Sequence, residues 1–418
     1  MIAGISLIVL IMVILLAWKF KWNPGLLGFG AAFLLGLFVA GGEGESAVSS
    51  ISGGCKVLFN GFNSKLWLRI MMVSIFFAVG QLDGTLEVMA KKAVGLIHGK
   101  NKFLPWIFYL MTLILSAIGS GSIGVLILLM PIAAQIVKEE KLDFMLTGLA
   151  VAIGAAVGGV SPMAATGIVG MSTASAVGIE VGTGIFTHYL VCGTITMVIL
   201  YVLLCGWKYP NAVISKEVKA PQFTRKQLST LTGIIIFAVM AIIGYEIAFA
   251  AGICVVGLCI LHPEMDQKKI ISMAPWPTLV LIGGMGVLIS VVQTAGGITL
   301  ITDFFSRFMA GKTVGVILTL IAGIMSFVSS ASGVVMPSLI PTVPSLVAST
   351  GASALGLINA ITFGAHQTGI SPFSTGGSLI LAMGGENIDQ QKTFNKLIVT
   401  AFGMLLLACV YSFVGLLG

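Results

Sequence analysis

Apolar runs long enough to cross a bilayer recur along this whole chain, and they leave few folds open. A helix spanning about 30 Å of hydrocarbon needs about 20 apolar residues. Such runs lie at 2–18, 24–41, 67–82, 143–175, 183–206, 230–245, 247–261, 276–294, 352–385 and 397–417. Only helices and closed barrels satisfy their backbone inside lipid, and barrel strands would alternate polar with apolar residues. The fold class is therefore an all-α integral membrane protein. Composition agrees: 57% of the 418 residues are hydrophobic and 9% are charged, against about 25% charged in a soluble domain. That balance excludes soluble enzymes, nucleic-acid binders and disordered chains. The net charge of +7 reads as retention of basic loops on the cytoplasmic side rather than as a nucleic-acid surface. The six cysteines form no CxxC or metal-like spacing and read as small core residues.

Two further apolar stretches, 103–138 and 313–348, are each interrupted by a Ser/Gly cluster and carry prolines beyond it. Each suggests a helical hairpin that enters and leaves the membrane on one side. Displacing the first half by 210 positions superimposes these interruptions. Ser116, Ser120, Ser122 and Pro131 fall on Ser326, Ser330, Ser332 and Pro341. Gly154, Ala155, Gly159, Ser161 and Pro162 fall on Gly364, Ala365, Gly369, Ser371 and Pro372. The expected organisation is a repeat over 1–206, a linker at 207–229 and a second repeat over 230–418, with broken helices at 143–175 and 352–385. Five spans and one hairpin per repeat would turn the second copy upside down relative to the first. The segments 85–100 and 299–312 mix charges with apolar residues and suggest interfacial amphipathic helices.

No basic residue precedes the first apolar run, so that run is expected to be a retained span rather than a signal peptide. With the N-terminus outside, the inner segments hold 17 Lys and Arg and the outer ones hold Lys56, Lys65, Arg69, Arg307 and Lys312, together the chain's 22. The positive-inside rule favours this orientation, with both termini outside a bacterial-type cytoplasmic (inner) membrane and the linker inside.

The chemistry is expected at the four interruptions. Pro162 and Pro372 each remove a helical hydrogen bond, and neighbouring glycines let the backbone open. An opened backbone in hydrocarbon is costly unless it lines a wet, protein-walled cavity, where half-helix N-termini favour anions and freed carbonyls coordinate cations. The candidate substrate-binding residues are Ser120, Gly121, Ser122, Ser161, Pro162 and Thr166 in the first half. In the second half they are Ser330, Ser332, His366, Thr368, Ser371, Pro372, Ser374 and Thr375. Ser116, Gly158, Gly159, Ser326 and Gly369 are candidates for a coupling cation. Gly and Ser also let helices pack closely, and that alternative stands beside the site reading. His366, whose counterpart is Ala156, reads equally as a proton carrier or as a neutral ring bonded to backbone.

The stretches GFNSKLWLR at 61–69 and GQLDGTLEVMAKK at 80–92 resemble the N-terminal region of malonate/dicarboxylate carriers of the MatC type. Those carriers belong to the ion transporter superfamily, with the divalent-anion/sodium symporters. The resemblance implies a homodimer in which a transport domain, holding both hairpins and both broken helices, moves like an elevator against a fixed scaffold. It implies a small dicarboxylate such as malonate or succinate as the substrate. In the symporters each hairpin tip carries Ser-Asn-Thr, whereas here the tips read Ser120-Gly121-Ser122 and Ser330-Ala331-Ser332.

The expected function is cation-coupled secondary transport of a small dicarboxylate, with no catalytic residue, no cofactor beyond Na⁺ or H⁺, and the lipid bilayer as the surroundings. An inorganic-ion carrier (a Na⁺/H⁺ antiporter or arsenite exporter) and a TRAP-type membrane subunit are alternatives on the same scaffold. The four histidines are scattered and no HExxH or GxSxG occurs, which argues against a membrane enzyme.

Overall fold

The computed structural model describes residues 2–20, 22–39, 47–62, 64–95, 100–210, 222–274, 276–297, 300, 313–327, 331–384 and 390–418. Among them the chain is helical throughout, with no strand. The first half contains α1 (Ile2–Phe20), α2 (Pro24–Val39), α3 (Ala47–Gly61), α4 (Ser64–Leu82) and α5 (Thr85–Gly95). It continues with α6 (Leu104–Leu115), α7 (Ser122–Glu139), α8 (Phe144–Gly159), α9 (Ala165–Ala176) and α10 (Gly184–Leu203). The second half contains α11 (Arg225–Ile243), α12 (Ile247–Leu261), α13 (Gln267–Ser272), α14 (Trp276–Thr294) and α15 (Thr313–Phe327). Next come α16 (Ala331–Thr350), α17 (Ala354–Gln367), α18 (Thr375–Gly384) and α19 (Gln390–Phe413).

Local chemistry sets the helix ends. Thr224 and Gln227 form a reciprocal capping box at the start of α11, and Asp143, Glu246 and Ser353 cap α8, α12 and α17 through their side chains. Gly244 and Gly351 adopt left-handed conformations that close the helices before them. Among the described residues six segments are long and apolar enough to cross a membrane, including Gly184–Leu203, Arg225–Ile243 and Gln391–Phe413. Large apolar side chains such as Leu34, Ile242, Ile260 and Val399 stand on the outside of the molecule, as lipid-facing residues do.

The two halves repeat one another in atomic contacts as well as in sequence. Ser161 donates its hydroxyl proton to the Ala117 carbonyl, and Ser371, 210 positions on, donates to Phe327 O at 3.4 Å. A Cβ on Gly154 would lie 2.3 Å from Tyr109 O, and one on Gly364 would lie 2.4 Å from Thr319 O. Helices α8 and α17 therefore press on α6 and α15 through the same glycine. The broken segments are α8–α9, interrupted between Gly159 and Ala165, and α17–α18, interrupted between Gln367 and Thr375.

One element departs from the sequence reading. The polar stretch after the second apolar run carries helix α3, whose Ser, Gly and Lys56 dilute any hydropathy signal. It lies on α2 where Gly54 meets Gly36 and on α14 where Gly61 meets Ser290, small residues admitting close backbone approach. Segment 85–100 forms α5 over Thr85–Gly95, and 301–312 falls outside the described residues, as does the middle of the linker, 211–221.

Two apolar cores result. One joins α1, α2, α3 and α14 through residues such as Leu10, Ala32, Leu58 and Met285. The other joins the hairpins, the broken helices, α10 and α19, through residues such as Leu129, Ile153, Phe363 and Met404. A small cluster of Ile70, Ile168, Val169, Leu279 and Ile282 links them.

Candidate functional site

The hairpins and broken helices enclose a cavity of about 360 Å³. Its wall takes Ser122, Ile123 and Leu126 from α7, Ala152, Ile153 and Ala156 from α8, Thr166 from α9 and Tyr189 from α10. The second half supplies Ser326, Ala331, Ser332, Ala365, His366, Gln367, Gly369, Ile370, Phe373, Ser374, Gly376 and Met404. Both halves thus contribute the same kinds of element, a hairpin tip and a helix break.

The first tip is shaped by two glycines. The chain widens to a π turn over Ser116–Ser120, Gly119 has φ of 115°, and Gly121 has φ of 75° just before α7. A side chain at either position would strain that backbone. Two hydrogen bonds then tie the tip to the first break: Ser116 Oγ donates to Ala155 O at 2.9 Å, and Ser161 donates to Ala117 O.

Of the residues singled out from sequence, Ser122, Thr166, Ser326, Ser332, His366, Gly369 and Ser374 line the cavity. A second group holds the backbone around it. Besides Ser116, Ser161 and Ser371, Ser120 donates to Leu115 O at 2.6 Å and Thr368 to Gly323 O at 3.0 Å. Gly158 packs on Leu113 O, where a Cβ would come within 2.1 Å, and Gly159 lies beside Ser122. Pro162 and Pro372 occupy the interruptions themselves. Ser330 lies outside the described residues, and Thr375 begins α18 with its side chain outside the described set.

Sequence reasoning missed Tyr189 and Gln367. Gln367 is buried and its Oε1 has no partner among the described residues; an amide in an apolar helix beside His366 was a usable signal. Tyr189, five residues into α10, carried none. His366 Nδ1 lies 2.7 Å from Thr362 O. A carbonyl only accepts, so Nδ1 carries the proton there. Tyr189 stands edge-on to the imidazole, ring centroids 5.6 Å apart.

None of the described residues lining the cavity carries a fixed charge. The field comes instead from helix ends. The first intrahelical bonds of α7, α9 and α18 run from Val125 N, Ile168 N and Ser378 N, which leaves the N–H groups of each first turn outside the helix ladder. Three partially positive N-termini therefore open beside the cavity, next to hydroxyls, and such an arrangement receives anions. Among the described residues no group of three His, Cys, Asp or Glu side chains could hold a metal ion.

Comparison with known proteins agrees with this architecture. Residues 1–159 match the family model of the dicarboxylate carrier protein MatC N-terminus, as the stretches at 61–69 and 80–92 led one to expect. The YdaH transporter of Alcanivorax borkumensis shares the fold at a TM-score of 0.64 and 14% identity, over 94% of this chain and 98% of that one. MtrF of Neisseria gonorrhoeae, described with a class of antimetabolite efflux pumps, does so at a TM-score of 0.61 and 12% identity, over 98% of this chain and 94% of that one. A comparison with curated proteins gave no match. The chain is a multi-pass membrane protein that shares its fold with these transporters.

Proposed function

We propose that this protein is a cation-coupled secondary transporter of a small dicarboxylate, malonate or a C4-dicarboxylate, in a bacterial-type cytoplasmic membrane. The observation that carries the reading is the cavity itself: hydroxyls and the starts of three helices line it, and none of the described residues lining it carries a fixed charge. Partial charges of this kind hold a carboxylate without trapping it. A dianion in low dielectric needs its charge offset by a co-transported cation, Na⁺ or H⁺.

An elevator motion suits the two cores. The hairpins and breaks are cross-tied by serine–carbonyl bonds and travel together, while α1–α3 and α14 form the scaffold through which two copies pair as a homodimer. The repeats are oriented oppositely, with both termini outside and the basic linker inside. The experiment is uptake of labelled malonate and succinate into proteoliposomes under separately imposed Na⁺ and pH gradients, and against trans dicarboxylate. Saturable uptake driven by at least one of these is expected; none from any of them would overturn the proposal.

A further inference from the structure

The cavity's two halves differ at several positions of the 210 offset, among them Val157/Gln367, Ala164/Ser374 and Thr166/Gly376, and at one of them the difference is ionisable. Position 156 in the first half is Ala and its counterpart, 210 positions on, is His366, and both line the cavity. Among the described residues that line the cavity, the imidazole is thus the single ionisable group with a basic nitrogen, on a wall otherwise made of hydroxyls, an amide, a phenol and apolar side chains. Thr362 O holds Nδ1–H at 2.7 Å and fixes the ring's orientation and tautomer. No described residue bonds Nε2. A neutral ring held this way offers the cavity only a lone pair, which repels a carboxylate. A protonated ring offers an N–H and a full positive charge.

From this asymmetry we infer that His366 is the proton carrier of transport, binding one proton at Nε2 with each dicarboxylate and donating that N–H to one substrate carboxylate. The proton comes from the aqueous phase on the loading side, joins the Nε2 lone pair as the dianion enters, and leaves to water on the other side as the dianion departs. The second carboxylate falls to the hydroxyls and helix starts of the first half, Ser122 and Thr166. One imidazole per chain gives one proton per substrate, and the loaded site carries one net negative charge rather than two.

The surroundings permit this. Tyr189 of α10 faces the ring edge-on at 5.6 Å, and Tyr411 of α19 lies tilted against Phe363, ring centroids 5.7 Å apart. Cys192 and Cys409 are the thiols on those helices, and His188 is turned to Gly184 O at the start of α10. Lys138 and Glu139 of α7, and Lys392 and Lys396 of α19, sit near the ends of their helices. Helices α8, α9, α17 and α18 bring no other titratable side chain. Among the described residues of these helices no carboxylate competes for the imidazolium.

The inference rests on the transporter reading and is tested on the purified full-length protein. Calorimetry of malonate binding at about pH 8, in two buffers of different protonation enthalpy, should show about one proton taken up per malonate. His366→Gln should abolish that uptake. In proteoliposomes this variant should lose malonate accumulation driven by a pH gradient. A protein carrying His98→Gln, His188→Gln and His262→Gln keeps one histidine, whose ¹⁵N ring signals should pass from neutral to imidazolium on adding malonate; this readout stands even if His366→Gln does not fold. Malonate binding without proton uptake in the wild type, unchanged neutral ring signals, or pH-driven accumulation in His366→Gln would each overturn the inference. Transport driven by Na⁺ alone would do so too, and would leave the dicarboxylate reading standing. A wild type that neither binds nor moves any dicarboxylate would remove both.

Discussion

Substituting alanine for Gly154 or Gly364 tests the repeat through packing alone. The added Cβ at 154 would lie 2.1 Å from Thr112 Oγ1 and 2.3 Å from Tyr109 O, and at 364 it would lie 2.4 Å from Thr319 O. Ordinary carbon–oxygen contact needs about 1 Å more, and in two of the three cases the obstacle is backbone. Thr112 cannot swing away freely either, because its hydroxyl already donates to Phe108 O at 2.8 Å. Each substitution must therefore push a helix pair apart, α6 from α8 or α15 from α17. Overpacking of this kind costs about 1–3 kcal/mol. Gly30→Ala and Gly403→Ala are the controls, since a Cβ at either meets nothing within 4 Å and gains about 0.5–1 kcal/mol of helix propensity. In thermal unfolding of detergent-solubilised protein, Gly154→Ala and Gly364→Ala should each lower the midpoint by at least about 2 °C, and by similar amounts, while the controls hold or rise. If both match the wild type, or if the controls fall equally, the close approach and the matched packing of the two halves are wrong.

Other outcomes follow from single contacts. Ser161→Ala and Ser371→Ala each leave a hairpin carbonyl, Ala117 O or Phe327 O, without its donor; each should destabilise by about 1 kcal/mol and slow malonate uptake in proteoliposomes at unchanged expression. Thr166→Val removes a cavity hydroxyl and should raise the KM for malonate while leaving the unfolding midpoint in place. Partial burial pushes the Glu246 carboxyl up, but hydrogen bonds from Arg69 Nε at 2.6 Å and Phe249 N–H at 3.0 Å outweigh it and hold the group below its ordinary value. The stability from that depressed group is present above the unfolded carboxyl's titration and is lost as pH falls through the folded one, below about pH 4; an unfolding series from neutral to acid should show this loss, and Glu246→Gln should blunt it. Cysteines placed at Lys216 or Lys219 in a cysteine-free background should react with membrane-impermeant maleimide only from the cytoplasmic side, and labelling from outside would refute the proposed orientation.

Much of the fold was legible because its signals are repeated. The helix breaks around Pro162 and Pro372 needed only proline, glycine and the common offset, and helices α9 and α18 begin 210 positions apart, at Ala165 and Thr375. Helix α3 was illegible for the opposite reason. Its residues AVSSISGGCKVLFNG suit close helix contact, and a hydropathy window registers affinity for lipid rather than for a neighbouring helix. Gly54 and Gly61 are in it for the second purpose.

The same distinction explains the candidate site. From sequence, packing and ligand binding were rival readings of every Ser/Gly cluster, and among the described residues some members of a cluster pack on a neighbouring helix while others line the cavity. In α8, Gly154 and Gly158 face α6, where a side chain would collide, while Ala156 between them faces the cavity. In the second half Gly364 does the packing, and position 366, two residues on, faces the cavity as His366. A helix turns about 100° per residue, so neighbours in one cluster serve different surfaces, and a motif read as a block hides that. The packing glycines recur at the 210 offset because the two helix pairs they join are built alike. On the proposed reading the cavity-facing position differs between halves because two equal walls would suit a substrate that needs equal handling at both ends, and a dianion that must shed half its charge on entering lipid does not.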